Sequence, residues 1–581
     1  MNLRKCLQIK ATAQKCSKYY LIKSLDLPLT SLYSVARMFV QATKCTHGKS
    51  TYLTYLVRES FRTPKGPRSR TVCNITALPE HTRDLIAQSL RGQAFVATDQ
   101  VGLTEAWSFG GLAVLRHSWD ALELDRLFRP VASARQAGLL RAMVFGRILF
   151  PSSKLALVDH ARGTLLASAC GLDQAREDFD EDDLYAAMDE LTGRWVGMEK
   201  QLYRDAFPQG VSLVLYDLTS VYFEGDGPLG ISQYGHSRDH RTDRPQVLLA
   251  VAADVRGVPL HLEVLRGNRG DTTTLQGLLA TLRRRFGIRE AVFVFDGGMS
   301  SKVNLEAMEA LGLHYVTRLG AGLLDQLLEG LPAEQAPELW DRTPVMEIVR
   351  GGKRYVIAGG PWRRQRDQQR RQARVAKAEA ELKRLAAVQR RKVNPQKLAS
   401  QVGRALQRLK AHKYFDYQVD PQGQLQWSRR SALIQSESVR DGLYLLGTNA
   451  SAEQVPASGV VAHYKNLQEV EDAFCHLKSY LRVRPVHHHR PDRVRNHARL
   501  CFLAYWLSAK LELEWRQKDQ TIEVHNLLRQ LQSIRLGRLE LGGKKFKTMV
   551  TQVPKDLNGT LAKLDLLTLF AKPPAWTEGQ L

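Results

Sequence analysis

Residues 211–225 read VSLVLYDLTSVYFEG, and residues 291–301 read AVFVFDGGMSS. Each stretch has a short apolar run rich in β-branched residues that ends at an aspartate, Asp217 in the first and Asp296 in the second. Runs of this kind are typical of buried β-strands, so the pattern predicts that each carboxylate projects from a strand end. The two glycines after Asp296 let the backbone turn sharply there. Both aspartates are therefore candidates for a rigidly held functional group.

A third acidic residue, Glu471, lies in the segment 464–485, YKNLQEVEDAFCHLKSYLRVRP. Apolar residues recur in this segment at steps of four, three and four, which predicts a buried helix face formed by Val470, Phe474, Leu477 and Leu481. Glu471 lies on another face. Lys478 follows it by seven residues, nearly two helical turns, so the spacing predicts that both side chains share one face, about 10 Å apart.

Three carboxylates suit divalent metal ions. An in-line displacement at a phosphodiester develops negative charge on the attacking and leaving oxygens, and two ions roughly 4 Å apart can stabilise both. Mg²⁺ prefers hard oxygen ligands and takes only a few protein carboxylates. We therefore expect Asp217, Asp296 and Glu471 to be catalytic and to hold Mg²⁺, with Mn²⁺ as an alternative ion, in phosphoryl transfer on DNA.

At these residues the chain resembles the DDE transposases of bacterial insertion sequences, in the branch with a Tyr-x2-Arg-x3-Glu-x6-Lys signature. Tyr464, Glu471 and Lys478 stand at the matching spacings. Leu467 occupies the position of the Arg, and nearby Lys465 is a candidate to replace it. Further stretches similar to this branch lie at 233–275, 441–449 and 484–507, so the resemblance spans most of residues 51–530.

The resemblance implies a fold and an activity. The fold is α/β: a ribonuclease-H-like catalytic core, a mixed sheet flanked by helices, that is interrupted by an insertion domain. Amphipathic stretches at 137–150 and 180–207 separately predict a mostly α-helical N-terminal region. The activity is binding of the element's terminal inverted repeats, with metal-dependent strand cleavage and strand transfer. The implied partners are double-stranded DNA, both element ends and target, and further copies of the chain, as a homodimer or larger synaptic complex. Tyr464 and Lys478 would position the phosphate backbone.

Two of the acids have alternative interpretations. An aspartate that ends a strand is often a turn former or a helix N-cap, which applies to Asp217. Asp271, in GNRGD, is the main rival to Asp296 because it also precedes a helix-like segment. We prefer Asp296, which follows the apolar run directly, and interpret Asp271 as the N-cap of residues 272–287.

The charge of the chain agrees with a nucleic-acid partner. The chain has 84 Lys and Arg against 59 Asp and Glu, a formal net charge of +25 and a pI near 9.8. Such a charge produces a long-range field that favours polyanions. Residues 363–410 hold 16 basic and 3 acidic residues. This helix-forming segment has few apolar anchors before Leu382, so we expect it to project from the core toward DNA. The alternative is a solvated helix that joins two subdomains.

The candidate DNA contacts in that segment are Arg363, Arg364, Arg370, Arg371, Arg390, Arg391 and Lys392. A second group surrounds His487, His488 and His489 and consists of Arg482, Arg484, Arg490 and Arg493. Three consecutive histidines cannot all face one ion on a helix or a strand, so this stretch favours a basic DNA-facing loop over a metal site.

The spacing of the acids indicates the domain organisation. A chain of 581 residues is too long for one core. The 175 residues from Asp296 to Glu471 are too many for a simple crossover, which predicts an inserted domain. The expected regions are an N-terminal extension (1–50), a mostly helical region that binds DNA ends (51–205), the first part of the core (206–320), the insertion (321–440), the second part of the core (441–530) and a C-terminal tail (531–581).

The first fifty residues read as an upstream-start extension, since the family-like sequence begins only near residue 46. They lack a compact apolar signal-peptide core, and no stretch is long enough to span a membrane, so we expect a cytoplasmic, nucleoid-associated protein with no membrane partner. The seven cysteines are spread widely without a Cys-x2-Cys pair, which predicts reduced thiols rather than disulfides or structural zinc.

Two other function classes stay open on the sequence alone. One is a catalytically silent DNA-binding relative of a transposase, suggested by Leu467 at the Arg position. The other is a metal-dependent nuclease without sequence specificity, which would use the same three acids. The net charge does not separate these classes, because all of them bind DNA.

Overall fold

A computed structural model describes residues 37–47, 50–93, 95–129, 133–172, 178–270, 273–329, 345–387, 394–438, 440–518, 520–543 and 545–580. Two compact units make up the chain: Met1–Gly102 with Glu540–Lys545, and Leu103–Leu539 with Phe546–Leu581. Several residues that the sequence singled out lie outside the described residues: Asp271, Arg390, Arg391 and Lys392, together with Cys6 and Cys16.

The first unit contains a three-stranded antiparallel sheet of β1 (Arg37–His47), β2 (Ser50–Thr63) and β3 (Gly66–Asn74), followed by the helix Glu80–Leu90. Residues 51–74, within the region expected to be mostly helical, form mainly strands, since Tyr52, Thr54, Tyr55 and Val57 have β-branched or aromatic side chains that favour a strand. The boundary at residue 50 falls inside a hairpin, since β1 pairs with β2 from Arg37 opposite Ser60 to His47 opposite Ser50.

In the second unit, helices occupy the chain between β4 (Val101–Ser108) and the first acid, where amphipathic patterns predict them. Their bounds are Gly110–Ala121, Ala134–Leu149, Lys154–Gly163, Leu166–Ala169, Glu181–Asp189 and Leu191–Ala206. Local side chains start several of them. The hydroxyl of Ser153 accepts a hydrogen bond from the Ala156 amide, and Asp180 and Asp183 form a reciprocal capping box.

The later strands are, in chain order, β5 (Leu213–Tyr222), β6 (Gln246–Ala253), β7 (Pro259–Arg266), β8 (Val292–Phe295), β9 (His314–Leu319), β10 (Val345–Arg350), β11 (Lys353–Ala358), β12 (Phe415–Val419), β13 (Leu425–Arg429), β14 (Tyr444–Thr448), β15 (Arg535–Leu541) and β16 (Lys545–Val550). Eight of them form one mixed sheet in the order β10-β11-β14-β9-β8-β5-β6-β7. The central strands β5, β8 and β9 are parallel, and the other neighbours in the sheet are antiparallel. The fold is therefore mixed α/β around a large mixed sheet.

The region between β9 and β14 differs from the expected insertion in two ways. The stretches VMEIVRG and RYVIAGG form β10 and β11, which extend the main sheet: β10 pairs with β11, and β11 pairs with β14. The basic helix Pro361–Ala387 does not project without anchors. With the helix Pro395–Arg408 and the hairpin β12–β13 it forms a separate small core, which includes Val375, Ala378, Leu382, Leu385, Leu398, Val402, Leu406, Tyr414 and Phe415. The short helix Ser431–Ser438 follows that hairpin.

Five of the later helices pack on strands of the main sheet: Lys302–Ala310, Ala321–Leu328, Ala457–Lys465, Leu467–Cys475 and Pro491–Gln517. The remaining later helices are Leu275–Thr281, Val524–Leu531 and Lys555–Lys563. The segment 531–581 is not a free tail, because its apolar residues join the main core: the rings of Phe570 and Trp576 lie 6.2 and 5.8 Å from that of Phe109. Across the described ranges, no helix is both long and apolar enough to cross a membrane.

Candidate active site

The first two acids lie side by side on neighbouring parallel strands. Strand β5 pairs with β8 in a register that places Tyr216 opposite Phe295. Asp217 and Asp296 are the next residues along each chain, so their backbones are about one strand spacing apart, roughly 5 Å. Asp296 follows the end of β8 as predicted. Asp217 does not end a strand, because β5 continues to Tyr222 through its pairing with β6.

Glu471 reaches the same place from a helix. The helix Leu467–Cys475 packs against β5 through its apolar face, and the four residues predicted to form that face, from Val470 to Leu481, are all buried. Glu471 is exposed on another face of the helix. Packing of this helix on the strand that carries Asp217 is what brings the third acid to the other two.

The three acids line one cavity of about 670 Å³. Burial raises the pKa of Asp217 to about 7, and the negative charges of Asp296 and Glu471 add to that increase. The pKa of Glu471 is raised as well, first by burial and then by Asp472 and Asp296. The three carboxylates therefore repel one another across the cavity, and a cation placed between them would offset that repulsion.

Basic and aromatic side chains complete the lining of this cavity. Two of them were predicted from the sequence: Tyr464, whose hydroxyl donates to Asp296 Oδ1 at 3.2 Å, and Arg363, whose guanidinium lies 4.7 Å from the ring centroid of Tyr444. Lys465 and Leu467 line the cavity together, so a lysine does stand beside the position where the signature has Arg.

Other lining residues were missed by the sequence reasoning, among them Arg318, Trp362, Arg366 and Gln468. Trp362 is 71% exposed, and the guanidinium of Arg366 lies over its ring, 5.0 Å from the ring centroid. A tryptophan inside a basic, polar stretch and an arginine inside the apolar strand β9 are signals that could have indicated both positions.

Lys478 is not in the cavity with Glu471. The α-helix ends at Cys475, and His476–Tyr480 form a π-helical turn. A π turn holds more residues than an α turn, so it rotates the following side chains away from the predicted face. The Lys478 ammonium instead lies 2.8 Å from Oδ1 of the buried Asp239, which also pairs with Arg484 at 3.0 Å.

The remaining DNA-contact candidates divide by their partners. Arg364, Arg370 and Arg482 are exposed, and Arg490 and Arg493 pair with Asp189 at 3.3 and 2.9 Å. The prediction that Arg371 contacts DNA is wrong, because its side chain is 9% exposed and makes a bidentate ion pair with the equally buried Asp441. The three histidines are not uniformly exposed. Burial lowers the pKa of His488 to about 3, and only His487 and His489 are exposed.

The donor set of the cavity fits a divalent ion of the magnesium type. Carboxylate oxygens are the ligands that Mg²⁺ prefers, and it keeps several waters beside one or two carboxylates. Among the residues with described positions, no group of three or more His, Cys, Asp and Glu side chains stands close enough together to hold a metal ion. The mutual repulsion of Asp217, Asp296 and Glu471 nonetheless favours a cation in the cavity, and their carboxylate oxygens are the ligand type that Mg²⁺ takes.

A large mixed sheet with three carboxylates at one cavity defines the class: an α/β protein with an acidic site suited to divalent-metal chemistry. The model of the transposase DDE domain family matches residues 208–507, which is just over half of the chain and includes all three acids. The chain belongs to the transposase DDE domain family. This membership supports a transposase function and, in general, polynucleotidyl transfer.

Solved transposase structures are distantly similar to the chain. The piggyBac transposase, in a cryo-EM synaptic complex with hairpin DNA, is 9% identical over 73% of this chain and 76% of that chain, with a TM-score of 0.37. The Mos1 transposase, in a paired-end complex with the left transposon end, is 13% identical over 28% of this chain and 56% of that chain, with a TM-score of 0.14. No protein in the curated set matches the chain.

Proposed function

We propose that the chain is an insertion-sequence transposase that binds the terminal inverted repeats of its element and catalyses metal-dependent strand cleavage and strand transfer. The observation that carries the proposal is the meeting of Asp217, Asp296 and Glu471 at one cavity from three separate parts of the sequence. We further assign the core as ribonuclease-H-like. The strand order β7-β6-β5-β8-β9, with β5 antiparallel to β6 and parallel to β8, supports that assignment.

The chain's own residues have separate roles in this proposal. Asp217, Asp296 and Glu471 would hold Mg²⁺, or Mn²⁺ in its place, and the bound ion would activate water and offset charge on the reacting phosphate. Tyr464 orients the carboxylate of Asp296 through its hydrogen bond. Lys465, Arg363 and Arg318 bring positive charge to the same cavity, where a DNA phosphate would be held.

The proposed partners are double-stranded DNA, as element ends and as target, and further copies of this chain in a synaptic complex. The net charge of +25 and the exposed Arg364 and Arg370 on the basic helix support the DNA partner. Residues 51–205 stay our prediction for the part that reads the element ends. A protein that acts on the chromosome would be cytoplasmic and nucleoid-associated.

The test is cleavage of a DNA fragment that carries the element's own terminus, with Mg²⁺ or with EDTA. We expect cutting at the terminus that requires the ion and falls roughly 1,000-fold in Glu471→Ala, because several kcal/mol of transition-state stabilisation are lost. Glu453→Ala is the control, since Glu453 is exposed and does not line the cavity.

Each alternative function predicts a different result in the same experiment. Binding of the terminus without cutting would identify a catalytically silent relative. Equal cutting of a scrambled terminus would identify a general nuclease and overturn terminus specificity. Cutting that is unaffected by Glu471→Ala would overturn the assignment of the three acids.

A further inference from the structure

A second cavity, of about 240 Å³, lies where the N-terminal helices of the second unit meet the loop that follows the π-helical turn. The charged and titratable side chains that line it in the described structure include no carboxylate: Arg147, Lys154, Arg482, Arg484, His488 and His497 are among them. We call it the basic cavity. Its volume is smaller than the 300–1,000 Å³ usual for small-molecule sites, which suits a single small anionic group.

Lys154 is the central residue of the basic cavity. Its residue exposure is only 7%, its ammonium lies 3.4 Å from Nε2 of His488, and it stands 5.5 Å from the ring centroid of Tyr185. In the part of the chain that the structure describes, no aspartate or glutamate forms an ion pair with it. Burying an ammonium without a counter-ion costs free energy, which an incoming anion would offset.

Two further groups in the basic cavity lack a counter-charge or a partner. His497 is 7% exposed, its Nε2 lies 3.1 Å from the Val483 carbonyl oxygen, and its Nδ1 is buried with no hydrogen-bond partner among the described residues. Arg147 donates to the Leu481 and Arg482 carbonyl oxygens at 3.4 and 3.5 Å, which ties this loop to the helix Ala134–Leu149. Lys154 and His497 are thus buried in the lining, Arg147, Arg484 and His488 are half-buried, and Arg482 and His487 are exposed.

The position of the basic cavity relative to the acids indicates what the anion is. Arg484 lines the cavity, and its guanidinium lies 5.8 Å from the ring centroid of Tyr222, the last residue of β5. Asp217 is five residues earlier on that strand, about 16 Å away at the usual rise of a strand. A duplex covers that distance in about five base pairs at 3.4 Å each. The separation of the two places along β5 is therefore within the length of one short duplex.

We propose that the basic cavity binds one phosphodiester group of the DNA backbone, at a few base pairs from the scissile phosphate, with Lys154 as the charge that neutralises it. This inference rests on the transposase function proposed above, and it adds a contact that the signature residues do not include. Because Lys154 lies on the helical region and Arg484 lies on the core, the phosphate would join these two parts of the second unit.

The test is a scan of neutral methylphosphonate groups, placed one at a time along the element-end DNA, with affinity measured in EDTA so that cleavage plays no part. For the unmodified chain we expect one position near the scissile phosphate to lower the affinity about tenfold, the usual loss for a charge-assisted contact. The Lys154→Met variant should bind unmodified DNA about tenfold more weakly than the unmodified chain does. A methylphosphonate at that position should cause no further loss of affinity in this variant. A parallel scan of target DNA shows whether the bound phosphate belongs to the element end or to the target.

Controls separate this role from a structural one. Lys563→Met removes an exposed lysine of equal charge and should leave the scan unchanged. The melting temperature of Lys154→Met should equal or exceed that of the unmodified chain, because a buried, unpaired ammonium has been removed. Lys154→Gln provides a second variant of the same test. A lower melting temperature in both variants would overturn the proposal. So would a Lys154→Met variant that still loses about tenfold in affinity when the methylphosphonate is placed at the same position.

The outcomes also separate this inference from the proposed function. Position-dependent binding without any cleavage would reject the transposase activity and keep the phosphate site. Terminus-specific cleavage by a Lys154→Met chain with unchanged affinity would keep the activity and reject the site.

Discussion

The hydroxyl of Tyr464 donates a hydrogen bond to Oδ1 of Asp296 at 3.2 Å, although 168 residues separate the two in the chain. Burial and the negative charge of Asp296 hold the pKa of Tyr464 above its usual range, so the hydroxyl keeps its proton and stays a donor. The contact links the helix Ala457–Lys465 to the end of β8. It therefore ties the helix that carries Tyr464 to one of the three carboxylates of the cavity.

Tyr464→Phe tests that contact. Removing one hydrogen bond to a charged group costs about 1.5–3 kcal/mol, so single-turnover cleavage should fall about tenfold or more while DNA affinity changes little. Tyr444→Phe is the matched control, because Tyr444 lines the same cavity with its ring 5.9 Å from that of Tyr464. Equal effects of the two substitutions would contradict a specific role for the Tyr464 hydroxyl.

The neighbouring positions 465 and 467 provide a rescue experiment. Lys465 and Leu467 line the cavity together, and Leu467 stands where the signature has Arg. If the Lys465 ammonium replaces the missing guanidinium, Lys465→Met should lower cleavage about tenfold, as expected for one lost charge-assisted contact. Adding Leu467→Arg to that variant should restore most of the rate. Failure of the double variant while Leu467→Arg alone stays active would reject the substitution of one residue for the other.

The adjacent Arg370 and Arg371 should behave oppositely when each is changed to alanine. Arg371 is buried in its ion pair with Asp441, so its loss leaves an unpaired buried carboxylate and should cost about 3 kcal/mol of folding free energy. Arg370 is exposed, so its loss should leave the melting temperature unchanged and weaken DNA binding, with a salt slope lower by about 1. Thermal unfolding and salt titrations of both variants check this.

A buried carboxylate should make stability depend on pH. Burial by itself would raise the pKa of Glu199, but His261, at 2.8 Å, and Arg285 together lower it below its ordinary value. The depressed pKa adds stability that is present above about pH 4.3 and is lost as the pH falls through the folded-state value. Glu199→Gln should therefore lower the melting temperature at pH 7, and its difference from the unmodified chain should shrink below about pH 4.

Exposed Glu290 provides the control for that experiment. Glu290→Gln removes one carboxylate from the same unit without touching the buried group. Its melting temperature should follow that of the unmodified chain from pH 7 to acid. A Glu199→Gln curve parallel to the unmodified chain at every pH would contradict the depressed pKa.

The local patterns in the sequence were informative where one element determines the outcome. Continuous apolar runs predicted β5 and β8, and the helical apolar pattern predicted the buried face of the Glu471 helix, because burial dictates which residues are apolar. The same reasoning failed for Lys478 and Arg371. A π turn moves Lys478 off the helix face that carries Glu471. Asp441, 70 residues from Arg371, neutralises the charge of that arginine. Neither the turn nor the partner is visible in a local pattern.

By itself the sequence identified Asp217, Asp296 and Glu471 as candidate metal ligands, showed a resemblance to DDE transposases, and carried a net charge that favours DNA. It did so because strand and helix periods, residue spacing and net charge are properties of the chain itself. Only the tertiary structure decided that β10 and β11 extend the main sheet, that residues 531–581 join the core, and that Lys154 lies buried beside His488. Those outcomes depend on which surfaces, distant in the sequence, pack together. Packing of this kind involves residues whose positions in the sequence have no regular spacing, so no local pattern reveals it.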